Sequence, residues 1–250
     1  MKVIAVYNIK GGVGKTTTAV NLSFLAALQG HNTLLWDLDS QAASSFYLRI
    51  QPKLKGGSRA LVKGKSALHT FIKGTDFENF DLLPADFSAR NLDLILDDSK
   101  KPTRRLSKLL QPLASEYDYI FLDCPPGMSL LSEAILHAAD YIVCPLIPTT
   151  LSVRTLTQLQ DFLNEQELNA VNLIPFFSLV DRRKKMHLDL LASLREHTPT
   201  ILNSTIPYAS DIERMGEERN PLPVFAGKSK AAAAYQALWQ EIALRMHESR

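Results

Sequence analysis

The stretch Lys10-Gly11-Gly12-Val13-Gly14-Lys15-Thr16-Thr17 constrains this chain more than any other. An apolar run before it, Val3 to Tyr7, reads as a buried strand, and Thr18 to Gln29 after it reads as a helix. Gly11, Gly12 and Gly14 carry no Cβ, so the backbone between strand and helix can curl tightly and approach an anion. The loop amides, from Gly11 through Val13 to Thr17, and the helix N-terminus then aim positive dipole at that anion. With this spacing Lys15 reaches the β- and γ-phosphates of a nucleotide, and the Thr16 hydroxyl faces a magnesium ion.

The rest of the chain alternates short apolar runs with helical patterns. Thr33–Trp36, Phe80–Leu83, Tyr119–Leu122, Tyr141–Ile147, Val171–Val180 and Ile201–Ile206 read as strands. Ser66–Lys73, Asp86–Leu96, a segment from Pro102, Ser129–Ala138, Leu151–Gln166, Lys184–His197, Asp211–Glu218 (capped by Ser210) and Ala231–Met246 read as helices. Lys53–Lys65 reads as a basic loop. Strands that are apolar throughout are covered on both faces. The expected fold class is therefore α/β: one three-layer α/β/α domain over residues 1–250, with a mostly parallel twisted sheet. Right-handed crossovers would bring the glycine loop and the strand-end carboxylates to one edge of that sheet.

Three carboxylates fall at such strand ends. Asp123 closes the run Tyr119-Ile-Phe-Leu-Asp, where a nucleotide-binding α/β protein places a magnesium-organising group. Asp37 and Asp39 close the run from Thr33, and strand alternation puts both on one side.

Taken together, K-G-G-x-G-K-T-T, the D-C-P-P at Asp123 to Pro126 and the tail Ile206-Pro207-Tyr208…Asp211…Asn220-Pro221-Leu222 resemble the deviant Walker A ATPases of the ParA/MinD family. The ordinary loop carries glycine where this chain has Ile9; the deviant form adds Lys10 instead. The resemblance implies that Lys10 crosses a two-fold interface to the partner copy's nucleotide, as an arginine finger does. It further implies that Asp39 activates the attacking water, that Asp37 helps hold the magnesium shell, and that Pro207 and Tyr208 flank the adenine. The family usually has proline at the place of Ser40 and glycine at that of Ala42, which bears on how the switch segment moves. The implied activity is slow, partner-stimulated ATP hydrolysis by an ATP-dependent homodimer, with ATP and Mg2+ as cofactors.

ParA-type relatives bind DNA without sequence preference and position a plasmid, chromosome or protein complex through an adaptor protein. Candidate DNA contacts are Arg182, Arg183, Lys184, Lys185, Arg219, Lys228 and Lys230, with a second basic run at Lys53, Lys55, Arg59, Lys63 and Lys65. The net charge of +2 decides nothing by itself, so such clusters carry the argument. MinD-type relatives instead use a C-terminal amphipathic helix on membrane. Here Tyr235, Leu238, Trp239, Ile242 and Met246 form an apolar stripe without a lysine-rich face beside it, which reads as core. An amide-forming synthase with a related loop, such as a cobyrinate or dethiobiotin synthase, is the alternative enzyme. A nitrogenase-reductase-like protein needs cluster cysteines at a dimer axis, and Cys124 beside Asp123 is poorly placed for that. A scaffold without turnover sits badly with Asp39 and Lys10. Two cysteines in apolar runs, no apolar stretch of membrane-spanning length and a strand at the N-terminus point to a cytoplasmic protein, and the resemblance to ParA-type proteins implies association with the nucleoid.

Overall fold

The computed structural model describes residues 1–52, 57, 60, 62, 68–198 and 200–248. Its centre is a sheet of eight strands among the described residues, in the order β3-β4-β2-β5-β1-β6-β7-β8. The strands are β1 (Lys2–Val6), β2 (Thr33–Asp37), β3 (Lys73–Gly74), β4 (Phe80–Leu83), β5 (Tyr119–Asp123), β6 (Tyr141–Leu146), β7 (Asn172–Val180) and β8 (Thr205–Pro207). All neighbours run parallel except the β3–β4 pair at one edge. The mostly parallel α/β sheet expected from the apolar runs is therefore present.

Helices cover both faces. On one lie α1 (Lys15–Leu28) and the C-terminal α11 (Lys230–Glu248), packed with Ile4, Val6, Leu35 and Phe121. On the other lie α3 (Leu92–Asp97), α4 (Arg105–Leu110), α5 (Leu130–Ala138), α6 (Thr150–Glu165) and α7 (Lys185–His197), over Val3, Ala5, Leu34 and Ile120. Short helices α2 (Ala43–Tyr47), α8 (Ser210–Glu213), α9 (Met215–Glu218) and α10 (Leu222–Ala226) sit in the connections. Consecutive residues of β1 face opposite helical layers, which is why each must be apolar.

Several element expectations change. The first helix begins at Lys15, not Thr18, because Gly14 in the left-handed region is itself the N-cap. Asp86–Leu96 is a 3-10 turn, Phe87–Asn91, leading into α3, with the Asp86 carboxylate accepting from Ser88 N at 2.8 Å. The segment from Pro102 also opens as a 3-10 turn, Pro102–Arg104, before α4. Of Ser66–Lys73, Leu68–Phe71 is 3-10 and Lys73 enters the antiparallel edge strand. Ser210 is the first residue of α8 and caps nothing; Ala209 holds the N-cap place, and the expected single helix is two. The expected strand Ile201–Ile206 shrinks to Thr205–Pro207, because the Glu241 carboxylate takes the Asn203 and Ser204 amides at 2.7 and 2.8 Å. The basic run Lys53, Lys55, Arg59, Lys63 and Lys65 lies outside the described residues.

The C-terminal stripe is core. Tyr235, Leu238, Trp239, Ile242 and Met246 are buried, and Trp239 Nε1 donates to Gln29 Oε1 at 2.8 Å. Among the described residues no helix is long and apolar enough to cross a membrane.

Candidate nucleotide site

The glycine loop leaves β1 at the centre of the sheet and enters α1. Gly12 (φ 70°) and Gly14 (φ 88°) occupy the left-handed region that side chains resist. A Cβ on Gly14 would also stand 3.0 Å from Ser178 Oγ of β7. Gly11 lacks that backbone requirement; its place lies against Pro126, with a hypothetical Cβ at 3.8 Å from the proline Cβ. Val13 is fully buried and anchors the loop from below. Thr17 Oγ1 donates to Gly14 O at 3.1 Å, and Thr18 N closes the first helical turn on the same carbonyl at 3.0 Å.

Lys15 is 7% exposed, and its ammonium donates to the Lys10 carbonyl at 3.0 Å. Burial pulls its pKa below the ordinary lysine value, an effect opposed by the nearby Cys124, Asp123 and Asp39. A buried cation whose bond goes to a neutral carbonyl, at the head of a helix and over a glycine cradle, is electrostatically incomplete without an anion.

Two carboxylates complete the floor. Asp37 and Asp123 are register partners at the ends of β2 and β5, and both are buried. Thr16 Oγ1 donates to Asp123 Oδ1 at 3.3 Å, and Ser44 Oγ to Asp123 Oδ2 at 2.7 Å. Ser45 donates to Asp37 Oδ2 twice, from its amide at 2.9 Å and its hydroxyl at 2.7 Å. Burial first, and then mutual repulsion, pushes the pKa of Asp123 up; burial does the same to Asp37. A divalent cation delivered with phosphates would remove that penalty. Asp39 is half-buried, accepts from Gln41 N at 2.9 Å, and its amide donates to Asp37 Oδ1 at 3.3 Å. Ala42 stands in the left-handed region, φ 53°, which explains physically why glycine suits that place.

Residues not singled out in the sequence hold these parts in place. Asn8 is buried; its Nδ2 donates to the Pro145 carbonyl at 2.8 Å and its Oδ1 accepts from Lys10 N at 2.8 Å, so it ties the loop to β6. The loop after β5 grips from the other side: Gly127 N donates to Ile9 O and Tyr7 Oη to Gly127 O, each at 2.8 Å. Asn21, inside α1, donates to Thr17 O at 2.7 Å and accepts from Leu222 N at 2.8 Å. Tyr235 of α11 donates to Thr17 Oγ1 at 3.3 Å. An asparagine among the apolar residues Ala19, Val20, Leu22, Phe24 and Leu25 of α1 was the available signal for Asn21; Asn8 offered none beyond its position after a strand.

Pro207 and Tyr208 end β8, and Tyr208 N donates to Val180 O at 3.0 Å. Tyr208 is 56% exposed and stands at the edge of the sheet that bears the loop. In the turn after β7, Arg182, Arg183, Lys184 and Lys185 are all exposed, and Arg183 also clasps Asp181 with Nε at 2.9 Å and a second nitrogen at 3.0 Å. That clasp holds the Asp181 pKa down to about 2. His187, buried, accepts from Asp181 N at 3.2 Å and pins the turn. Lys228 and Lys230 are exposed at the start of α11. Arg219 is half-buried, with its Nε donating to the Phe46 carbonyl at 3.0 Å. Both cysteines are buried free thiols.

The AAA domain family matches residues 1–173. The sporulation initiation inhibitor protein Soj of Bacillus subtilis strain 168 is 28% identical over 248 residues, covering 97% of this chain and 98% of Soj. The chromosome partitioning protein ParA of Myxococcus xanthus is 29% identical, covering 98% of this chain and 88% of the relative. Among solved structures, a cobyrinic acid a,c-diamide synthase from Mycobacterium smegmatis with bound ADP and magnesium superposes with a TM-score of 0.84 at 26% identity, covering 100% of this chain and 97% of the synthase.

Proposed function

The chain belongs to the AAA-domain P-loop ATPases of the ParA/MinD type, and from that membership we propose that residues 1–250 act as one domain that binds ATP with Mg2+ and hydrolyses it to position a DNA or protein cargo. The observation that carries the reading is the Lys15 ammonium, buried beside the Lys10 carbonyl with the hydroxyl of the next residue, Thr16, on Asp123. This arrangement asks for a phosphate and a divalent cation together.

When bound, ATP supplies the transferable phosphoryl group and Mg2+ neutralises its oxygens. The amides of Gly11 to Thr17 hold the phosphates at the head of α1. Lys15, now on the Lys10 carbonyl, would hold the phosphate oxygens instead. The Thr16 hydroxyl, Asp123 and Asp37 would hold the metal ion. Asp39, on the segment after β2, orients the attacking water and takes its proton. Lys10 reaches the nucleotide of a second copy and stabilises charge developing on the phosphoryl group. Pro207 and Tyr208 border the base.

A ParA-type cargo role follows from the kinship with Soj and ParA. Arg182, Lys184, Lys185, Lys228 and Lys230, exposed at the loop-bearing end of the sheet, supply the basic surface for nonspecific DNA and for association with the nucleoid. Turnover is slow until an adaptor protein stimulates it. The likeness to the diamide synthase favours a second reading, ATP-dependent amide formation on a small acid.

One experiment separates them: ATP turnover with and without nonspecific DNA, at low and high salt, with oligomeric state measured in a non-hydrolysable ATP analogue. ATP-dependent dimers and salt-sensitive retention on DNA support positioning. Turnover that needs a small carboxylic acid and an amine donor, and ignores DNA, favours the synthase and overturns it.

A further inference from the structure

Helix α2 is gripped on two sides. Its inner side carries Ser44 and Ser45, bonded to Asp123 and Asp37. Its outer side carries Phe46, 48% exposed, with the Arg219 guanidinium carbon 4.6 Å from the ring centre. Arg219 Nε donates to the Phe46 carbonyl at 3.0 Å. The bond is returned from beyond the helix: Arg49 donates its Nε to Arg219 O at 3.1 Å and a second nitrogen to Glu218 O at 3.3 Å. Both arginines hold left-handed backbone, φ 60° at Arg49 and φ 50° at Arg219. Tyr47 lies against Gly216, where a Cβ would meet its ring at 3.8 Å.

The sequence Ala43-Ser-Ser-Phe-Tyr47 is far too short to be helical alone. Its place is set by what holds it: two carboxylates inside and the reciprocal Arg49–Arg219 clasp outside. Stacking on the Phe46 ring and the Nε–H bond to the Phe46 carbonyl fix the orientation of the Arg219 guanidinium against α2, and its four terminal N–H groups are left over.

We propose that Arg219 is a positioning residue of the nucleotide site. It fixes α2 through Phe46, and thereby sets Ser44 and Ser45 over Asp123 and Asp37; it is not a contact to DNA phosphate. The consequence for turnover rests on the ATPase reading, whereas the clasp itself is measurable without nucleotide.

The test compares the parent with Arg219→Ala, Arg219→Lys and Phe46→Leu as full chains. In nucleotide-free protein, amide exchange at Phe46 and Leu48, which bond Ala42 O and Ser44 O, is expected to rise about 5- to 30-fold in all three. Lysine fails here because it lacks the planar face and the Nε–H. ATP turnover at saturation falls by about fivefold or more while KM stays within about twofold. The salt dependence of DNA retention matches the parent. Phe46→Leu combined with Arg219→Ala falls short of the sum of the two single effects, because both remove the same stacked pair while only Arg219→Ala also removes the bond to the position 46 carbonyl. Unchanged exchange at Phe46 and Leu48 in Arg219→Ala overturns the proposal. So does a salt slope lowered by about one in Arg219→Ala and restored in Arg219→Lys, which marks a phosphate contact. A parent chain that never turns over ATP refutes the ATPase reading instead, and the exchange measurement still decides the clasp.

Discussion

Asp37 and Asp123 stand opposite one another across β2 and β5, both buried, each held by one serine of the same short helix. Burial raises both pKa values. In the unfolded chain such groups release their protons near pH 3.9, whereas the fold retains them to higher pH. The folded state therefore binds more protons over that interval, and stability falls as pH rises through it. Without nucleotide, the thermal midpoint should be higher at about pH 5 than at about pH 8. Asp123→Asn should flatten that slope and raise the midpoint at the higher pH, while abolishing the gain on adding ATP and Mg2+. Thermal melts across pH, with and without the cofactors, check both signs. A midpoint that climbs with pH in the parent would contradict the carboxylate picture.

Lys15→Met should separate binding from folding. The buried ammonium meets a neutral carbonyl and is penalised by its surroundings, so its removal should leave nucleotide-free stability within about 1 kcal/mol. Affinity for an ATP analogue should drop at least about tenfold, the scale of one charged hydrogen bond. Calorimetric titration and a denaturant melt on the same sample give the two numbers.

Lys10→Ala addresses the second copy. The Lys10 backbone is already fixed by Asn8 and its carbonyl by Lys15 Nζ, so the substitution should not disturb the loop. Nucleotide binding should persist while ATP-dependent dimers disappear in sedimentation velocity. Dimers and turnover equal to the parent's would remove the trans role.

Gly14→Ala probes the loop's backbone. A methyl group there meets Ser178 Oγ at 3.0 Å in a left-handed residue, so about 1–2 kcal/mol of stability should be lost. Ala42→Gly, at φ 53°, should cost nothing measurable, because relief of left-handed strain offsets the added freedom of the unfolded chain. The urea midpoint should fall for Gly14→Ala and stay at the parent's value for Ala42→Gly.

Asn21→Leu removes the junction between α1 and the C-terminal segments. It strands the Leu222 amide in the core and removes the side-chain bond to the Thr17 carbonyl. A loss of about 2–4 kcal/mol is expected, lowering the melting midpoint by roughly 5–15 °C for a chain of this size. A midpoint shifted by less would mean that water or a moved side chain replaces both bonds.

The local and periodic features were legible in the chain itself. The glycine loop between strand and helix could be read at Lys10 to Thr17, and the parallel sheet in runs such as Tyr119-Ile-Phe-Leu-Asp123, because both are encoded by residues adjacent in sequence. Helix α2 could not be read from Ala43-Ser-Ser-Phe-Tyr47, since besides the nearby Asp37 it is held by Asp123 and Arg219, remote in the chain. The same holds for the shortened β8, whose preceding amides turn to Glu241.

The sequence by itself determined that a nucleotide-sized anion belongs at the head of α1, because glycine and lysine spacing set local backbone freedom and charge. Only the tertiary structure decided that Arg219 is engaged with Phe46, 173 residues away, while Arg182, Lys184, Lys185, Lys228 and Lys230 are exposed. Charge can be counted along a chain, but its availability depends on partners that only folding brings within hydrogen-bond distance.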